Sequence, residues 1–306
     1  MTGSDRRDEI RAHLESTRAH LEATNAKIEA RAGRNLFFAV ASGLVFAAVF
    51  LVSILWVKQL FVLLVAILVS VALVELASAF RTAGRRVPRV GAVVGGLTVV
   101  VGTYFWGSEG MLLGLFAGSG LIIVWRLVEG LVVRWETPKR TLLRDVLSGV
   151  FALVYVSFLA SFSVLLIEVE GGEWWIFALV LIVVSVDIGA YAAGVTLGKH
   201  KMTPRISPNK TWEGFGGAAV AATAAGVVMA IFALDQPWWV GVLLGVVVLF
   251  TATGGDLTES LIKRNLGVKD MSSWIPGHGG FLDRLDSLLP SAVGVYGVAL
   301  ALGVVA

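Results

Sequence analysis

Apolar runs of about 20 residues recur along this chain from residue 35 to its carboxyl terminus, and they leave few folds open to it. A helix of about 20 apolar residues is long enough to cross a hydrocarbon core roughly 30 Å thick, and it satisfies its own backbone polar groups there. The runs occupy residues 35–57, 59–80, 90–107, 111–128, 146–167, 174–197, 215–234, 237–254 and 287–306. The sequence therefore predicts an all-α polytopic membrane protein with about nine transmembrane helices.

The composition supports a membrane protein and excludes several kinds of site. Hydrophobic residues make up 57% of the chain and charged residues only 15%, a balance outside that of soluble domains. The absence of cysteine excludes disulfides, thiolate metal sites and cysteine nucleophiles. The net charge is +3, but the basic residues lie at the ends of apolar runs, so we expect them to contact anionic lipid headgroups and not nucleic acid.

Basic residues alternate along the chain in a way that predicts its orientation. Four lie in each of the segments 81–89, 134–144 and 199–210, and more lie in residues 260–286, whereas the other connecting segments are acidic or carry a single lysine. Basic connecting segments stay on the cytoplasmic side of a membrane. We therefore expect a multi-pass protein of the cell (inner or plasma) membrane, with a cytoplasmic amino terminus and the carboxyl terminus outside.

This pattern divides the chain into three regions. Residues 1–34 form a polar tail, and residues 35–170 form an amino-terminal transmembrane region of five runs. Residues 171–306 form a catalytic region of four runs, and we expect its connecting segments 198–214 and 255–286 to be cytoplasmic.

The tail contains three consecutive heptads between residues 11 and 31. Each heptad has one large apolar residue, Leu14, Leu21 or Ile28, whereas a stable coiled coil needs two. We therefore predict a helix that is solvated or lies on the membrane surface. Self-association through the heptads is the alternative.

A few ionisable residues fall inside the first five apolar runs or directly at their ends, namely Glu75, Arg126 and Glu129. Ionisable side chains in a bilayer are costly, but these lie near the ends of their runs, where long side chains reach the interface. We therefore predict that they form structural pairs; a role in catalysis is the alternative. Glycines in the third and fourth runs predict close helix packing; they are Gly95, Gly96, Gly114, Gly118 and Gly120.

Asp187 lies inside the sixth apolar run, where an unpaired carboxylate costs at least a few kcal/mol. It therefore needs a partner or a polar cavity. On a helix, Asp187, Tyr191, Gly194 and Gly198 share one face. This small, polar face predicts a cavity wall.

The segment that follows the sixth run, residues 199–214, is rich in side chains that bind phosphate. It holds four basic residues together with Ser207 and Asn209. Its residues Thr211-Trp212-Glu213 are typical of a helix start with a glutamate in the first turn. Because the amino terminus of a helix attracts anions, we expect phosphate to bind here.

Residues 260–286, the signature segment, place charges and glycines between two apolar runs. Cations suit phosphoryl oxygens, and carboxylates at helical spacing suit a hard divalent metal. The cations are Lys263, Arg264, Lys269 and Arg284, and the carboxylates are Asp270, Asp283 and Asp286. Just before the segment, Asp256 shares a helical face with Ser260 and Lys263. These residues predict a polyphosphate held with a divalent metal.

The spacing within the signature segment resembles that of the phosphatidate cytidylyltransferase family, also called CDP-diacylglycerol synthases. The matching positions are Ser260, Lys263-Arg264, Lys269-Asp270, His278-Gly279-Gly280, Asp283-Arg284 and Asp286. So many fixed residues in one short segment make a chance match far rarer than for a bare glycine motif. A second segment typical of the family, Ser-Pro-Lys-Lys-Thr-Trp-Glu-Gly, matches residues 207–214, except that Asn209 replaces the first lysine.

The resemblance implies an activity, a metal and a set of site residues. The reaction is the transfer of CMP from CTP to phosphatidic acid, which gives CDP-diacylglycerol and pyrophosphate at the cytoplasmic interface. Mg²⁺ would be held by Asp256 and Asp283, with Asp286 assisting or holding a second cation, and the enzyme would be a homodimer. The residues implied for catalysis are Asp256, Asp283, Asp286, Lys263, Arg264 and His278, the last as a hydrogen-bond donor. Those implied for binding the phosphates of CTP or phosphatidate are Asp187, Ser207, Lys210, Thr211, Ser260, Lys269, Gly279, Gly280 and Arg284.

Two other functions stay open. One is a lipid kinase that uses CTP and acts on a polyprenol-type acceptor, although such an enzyme lacks the signature segment. The other is a transporter, in which Asp187 and glycine-rich helices would line a pathway near the bilayer centre. The polar clusters of this chain lie in two connecting segments instead.

Overall fold

The computed structural model describes residues 48–55, 57–132, 139–268, 271–272 and 280–305. The described residues divide into two units, 48–52 and 53–305, and residues 48–52 are helical. The tail, residues 1–34, and most of the first apolar run therefore lie outside the described residues.

The second unit consists almost wholly of helices. They are α1 (Lys58–Thr82), α2 (Arg89–Val132), α3 (Lys139–Ala152), α4 (Leu159–Glu168), α5 (Gly172–Leu197), α6 (Trp212–Phe232), α7 (Trp238–Leu266), α8 (Leu282–Leu285) and α9 (Leu288–Ala301), with a π-helix, Leu153–Phe158, between α3 and α4. Among the described residues, six helical segments are long and apolar enough to cross a membrane: α1, α2, Thr141–Glu168, α5, α6 and α7. The chain is a multi-pass membrane protein by this measure.

Helix α2 contains two of the predicted runs because it folds back on itself. The backbone leaves helical geometry at Trp106 and Gly107, where Gly107 adopts a φ of 56°, a conformation that favours glycine. The two arms then pack closely: a Cβ atom added to Gly118 would lie 2.6 Å from the carbonyl oxygen of Gly95. Runs 90–107 and 111–128 are therefore the two arms of one helical hairpin.

The predicted glycine packing is confirmed at four of the five positions. Gly95, Gly114 and Gly118 lie against the opposite arm of α2, and Gly96 lies against side chains of α1 and the π-helix. An added Cβ atom at Gly120 would meet no atom within 4 Å among the described residues.

The helix in the last predicted run, 287–306, is shorter than that run. It is α9, which has 14 residues and ends before Gly303, a residue with a φ of 71°.

Arg126 and Glu129 form structural pairs, as predicted. The buried Arg126 contacts Glu129 on its own helix, and its Nη2 atom lies 2.7 Å from Oδ2 of Asp145 in α3. Asp145 also accepts a 2.9 Å hydrogen bond from the amide of Arg86. This cluster joins α2, α3 and the segment between α1 and α2. Arg126 and Asp145 are buried, so their pairing does not depend on side chains reaching the interface.

The connecting segment between α5 and α6 forms a β-hairpin that the all-α prediction misses. Strand β1 (Lys201–Thr203) pairs antiparallel with β2 (Ser207–Thr211). Apolar periodicity, the basis of the prediction, carries no information about a short polar hairpin.

The predicted start of helix α6 is confirmed, because the Thr211 hydroxyl accepts a 3.1 Å hydrogen bond from the amide of Gly214 and caps α6.

Helix α1 spans the bundle and defines its two ends. Lys58, at the start of α1, donates hydrogen bonds to backbone carbonyls at the end of α4. Glu75, near the other end of α1, accepts a hydrogen bond from the amide of Phe281 in the signature segment. From the end of α7, Arg264 donates a 3.5 Å hydrogen bond to the carbonyl of Ile206 in the hairpin. The hairpin and the described part of the signature segment therefore lie at the same end.

Candidate functional site

The end of helix α7 provides one wall of the candidate site. Residues of its first turns, such as Val240, Leu244 and Val248, are fully buried. Where this apolar stretch stops, Asp256, Glu259, Ser260 and Lys263 follow at i, i+3, i+4 and i+7, and such residues fall on one face. The helix ends at Gly267, which adopts a left-handed conformation with a φ of 71°.

Lys263 joins α7 to the signature segment. Its Nζ atom lies 3.1 Å from Oδ1 of Asp283 and 2.8 Å from Oε2 of Glu259. Oδ2 of Asp283 accepts a 2.8 Å hydrogen bond from the amide of Gly280. Burial opposes ionisation of Asp283, but the neighbouring carboxyl group of Glu259, the hydrogen bond from the Gly280 amide and the contact with Lys263 outweigh it and hold the pKa of Asp283 below its usual value. Asp283 is therefore ionised at neutral pH.

A second lysine–carboxylate pair joins α7 to the β-hairpin. Nζ of Lys210, in β2, lies 2.7 Å from Oδ2 of Asp256. Ser260 donates a weaker, 3.4 Å hydrogen bond to the other oxygen of Asp256. Lys210 is held in place because the next residue, Thr211, caps α6. The structure thus brings together residues from both segments that sequence analysis selected.

A cavity of about 310 Å³ lies beside the Lys210–Asp256 pair, at the lower end of the range of about 300–1,000 Å³ for small-molecule sites. Asp187, Tyr191 and Gly194 of α5 line it, which confirms the predicted cavity wall, whereas Gly198 is not part of the lining. The polar residues of the lining are Asp187, Tyr191, Ser207, Asn209, Lys210, Thr211, Thr253, Asp256 and Ser287. Asp187 therefore has the polar surroundings that its place in an apolar run requires.

Asp286 is more deeply buried than Asp256 and Asp283, with 8% of its surface exposed. Its Oδ1 atom accepts a 2.6 Å hydrogen bond from the amide of Ser287. Burial, together with repulsion from the carboxylates of Asp256 and Asp187, raises the pKa of Asp286 to about 7. Ionisation of the Asp286 carboxyl group is therefore opposed both by burial and by neighbouring negative charge.

The carboxylates implied as metal ligands do not form a cluster of their own. Within the described ranges, no three His, Asp or Glu side chains come close enough together to hold a metal ion. Asp256 and Asp283 are each paired with a lysine. Mg²⁺ commonly binds proteins through one or two carboxylates, with substrate phosphates and water as the other ligands. The donor set fits such an ion once a triphosphate is present.

The remaining predicted residues lie in different surroundings. Ser207 and Thr211 line the cavity, Gly280 uses its amide to hold Asp283, and Arg264 and Arg284 are exposed. Four further residues named from the signature segment, Lys269, Asp270, His278 and Gly279, lie outside the described residues.

Two residues of the site were not predicted from the sequence. Glu259 is a buried residue of α7 that lies between Asp256 and Ser260 in the sequence. Its i, i+4 spacing to Lys263 is a local pattern from which it could have been predicted. Tyr155, in the π-helix, has a buried hydroxyl without a hydrogen-bond partner among the described residues. This hydroxyl is near enough to Asp286, Glu259 and Asp256 to interact with them electrostatically. Nothing in the local sequence marks Tyr155, although π-helical turns are frequent at functional sites.

Several known proteins that are similar to this chain carry the same enzymatic name. The sequence model described as "Cytidylyltransferase family" matches residues 38–302. A protein of Mycobacterium bovis named phosphatidate cytidylyltransferase is 39% identical over 272 residues, which cover 87% of this chain and 89% of the relative. The protein of the same name from Mycobacterium leprae is 41% identical, and the match covers 86% of this chain and 87% of that protein. One from Brucella suis is 38% identical over 61% of this chain and 68% of its own length.

Proposed function

Since this chain belongs to the cytidylyltransferase family, we propose that it transfers CMP from CTP to phosphatidic acid, giving CDP-diacylglycerol for phospholipid synthesis. The observation that carries this proposal is the contact between Lys210 and Asp256 in the lining of the cavity. It places a cation and a carboxylate from two distant segments beside one space, at an end of a membrane-embedded bundle. A soluble triphosphate and a membrane lipid can meet only at such an interface.

The proposed reaction joins two anions. An oxygen of the phosphatidate phosphate attacks the α-phosphorus of CTP and forms a new P–O bond. The bond between the α-phosphorus and the bridging oxygen breaks, and pyrophosphate leaves with the electron pair. Because the nucleophile is already an anion, no general base is needed. The main tasks of the protein are charge neutralisation and alignment.

The residues of the site are suited to these tasks. Lys210 and Lys263 are held by carboxylates, so their ammonium groups are positioned before a polyphosphate binds. Arg264 and Arg284 are exposed at the same end and would contact phosphoryl oxygens. Mg²⁺, held by Asp256 and Asp283 with Asp286 assisting or holding a second cation, would neutralise phosphoryl oxygens and the leaving group.

We also propose nine membrane crossings in the cell membrane, a cytoplasmic site, and a homodimer. The clustering of basic residues in the hairpin and the signature segment supports the cytoplasmic placement. The family resemblance supports the homodimer.

The test is incubation of the purified protein in detergent with phosphatidic acid, Mg²⁺ and each nucleoside triphosphate in turn. We expect CTP to give pyrophosphate and a nucleotide-linked lipid in equal amounts. Release of CDP with a phosphorylated lipid would identify a lipid kinase instead. Absence of CTP turnover by folded protein would contradict the proposed reaction, and absence of turnover with every nucleoside triphosphate would leave the transporter as the alternative.

A further inference from the structure

Glu75 is a buried side chain of α1, 1% exposed, that the proposed reaction does not use. Its Oε1 atom accepts a 3.0 Å hydrogen bond from the amide of Phe281 and another from the hydroxyl of Ser272. Its Oε2 atom accepts a 2.9 Å hydrogen bond from the amide of Leu282. Three donors from the signature segment therefore converge on one carboxyl group of a distant helix.

This convergence explains how an ionisable side chain is retained inside an apolar helix. A buried carboxyl group is costly unless hydrogen bonds satisfy its oxygens. Both oxygens of Glu75 are satisfied by the same segment, and two of the three donors are backbone amides. The pairing that sequence analysis predicted for Glu75 is thus with the signature segment.

The residues held by Glu75 adjoin Asp283. The amides of Phe281 and Leu282 bind Glu75, and the amide of Gly280 binds Oδ2 of Asp283. Asp283 in turn contacts Lys263. A Cβ atom added to Gly280 would lie 2.8 Å from Oε2 of Glu75, so the absence of a side chain lets the backbone approach the carboxyl group this closely.

We propose that Glu75 is a positioning residue for the site. By holding the backbone at residues 281 and 282, it orients Asp283 toward Lys263 and the bound polyphosphate. The amino-terminal region thereby supplies a support on which the geometry of the signature segment depends. The predicted loss of activity rests on the proposed function, whereas the predicted loosening of the segment does not.

The test compares Glu75→Gln with Asp145→Asn. Asp145 is a matched control because it is also 1% exposed and also accepts a backbone amide, but its partners lie in α2 and the segment after α1. Loss of a group that orients a metal ligand, the role proposed for Asp283, commonly lowers metal affinity or activity by roughly 10–100-fold. We expect Glu75→Gln to lower kcat by that factor and to raise the KM for CTP. Asp145→Asn should leave the KM unchanged even if less protein folds, because a smaller active fraction lowers only the apparent kcat.

A second readout needs no activity. The chain has no cysteine, and Met271 is 5% exposed, so Met271→Cys places one shielded thiol in the segment. We expect Glu75→Gln to speed the reaction of this thiol with maleimide in folded protein, and Asp145→Asn to leave its rate unchanged. Glu75→Asp, which keeps the charge but is one methylene shorter, replaces Glu75→Gln if that variant fails to fold.

The KM for CTP and the reaction rate of the thiol together distinguish a failure of the positioning role from a failure of the proposed function. An unchanged thiol rate together with an unchanged KM for CTP would overturn the positioning role, as would equal effects of the Glu75 and Asp145 variants. If the unmodified protein does not turn over CTP, the proposed function fails, and the thiol rate alone decides whether Glu75 holds the segment.

Discussion

At the scale of single residues, the main feature of the candidate site is the pairing of lysines with carboxylates. Lys210 with Asp256 and Lys263 with Asp283 each join α7 to another segment. In such partly buried pairs, removal of one partner leaves the charge of the other uncompensated. A substitution at any of these four residues should therefore change both the local geometry and the net charge that the proposed polyphosphate would meet.

Replacing Asp283 by Asn should nearly abolish activity. The variant keeps the shape of the side chain but removes the charge that would hold Mg²⁺ and that contacts Lys263. A loss of about 4 kcal/mol in the transition state corresponds to roughly 10³-fold in rate. The measurement is Mg²⁺-dependent pyrophosphate release from CTP, with Asp270→Asn expected to cost less. Near-normal turnover by Asp283→Asn at saturating Mg²⁺ would remove Asp283 from the metal site.

Replacing Lys210 by Gln should reduce activity by roughly 10²–10³-fold, the usual cost of losing one group that stabilises developing charge. Lys210 is the hairpin cation that lines the cavity. Arg205→Gln is the matched control, because Arg205 is an exposed cation of the same connecting segment and is not part of the cavity lining. Equal losses of activity in the two variants would show that activity depends on the overall positive charge of this segment and not on the position of Lys210 in the cavity lining.

At the scale of elements, the site depends on how the hairpin and α9 are held against their neighbours. Glu213, in the first turn of α6, accepts hydrogen bonds from the amides of Lys199 and His200 and contacts the His200 ring at 2.6 Å. The helix start thereby fastens the beginning of the hairpin while Thr211 caps the helix. Lys210 is fixed between these two anchors.

Gly255→Ala should damage the contact between α7 and α9. An added Cβ atom would lie 2.6 Å from Cγ of Pro290 and would overlap the carbonyl oxygen of Asp286. Such overpacking typically costs about 1–3 kcal/mol, and here it would also displace Asp286. We expect a lower thermal midpoint and lower activity.

The neighbouring glycine provides the control for that substitution. A Cβ atom added to Gly254 would meet no atom within 4 Å among the described residues. Gly254→Ala should therefore leave thermal stability and activity close to those of the unmodified protein. If both variants behaved alike, helix propensity and not packing would explain the result.

At the scale of the whole molecule, the proposed orientation places the turn of α2 outside and the hairpin inside the cell. Ser108 and Arg205 are both exposed, and the chain has no cysteine, so Ser108→Cys and Arg205→Cys can each be labelled alone. An impermeant maleimide added to intact cells should react at position 108 and not at position 205. Permeabilised cells should allow both reactions, and the reverse pattern in intact cells would invert the topology.

Deletion of residues 1–30 should leave the chemistry intact. The deletion removes none of the candidate phosphate or metal ligands, so specific activity should stay within a few-fold of that of the intact chain even if expression falls. A large loss of turnover in well-folded, truncated protein would assign the tail a role in the reaction.

Local patterns in the sequence are enough to predict most of the helices and to identify the family. Apolar runs predict α1, α5, α6 and α7, because a helix that crosses a bilayer must be apolar over its whole length. The start of α6 at Thr211 and the packing of the α2 glycines also follow from residues close in sequence. The signature spacing identified the chemistry, since its residues lie within one short segment.

Which of these residues contact each other follows from the packing of the helices and not from local sequence patterns. The contacts of Lys210 with Asp256, Lys263 with Asp283 and Glu75 with the signature segment join different elements. The β-hairpin likewise departs from the all-α prediction. Periodicity reports which face of a helix is apolar, but the partner of a polar side chain depends on how helices far apart in sequence pack together. That packing is set by many weak contacts across the bundle, and no short stretch of sequence contains them.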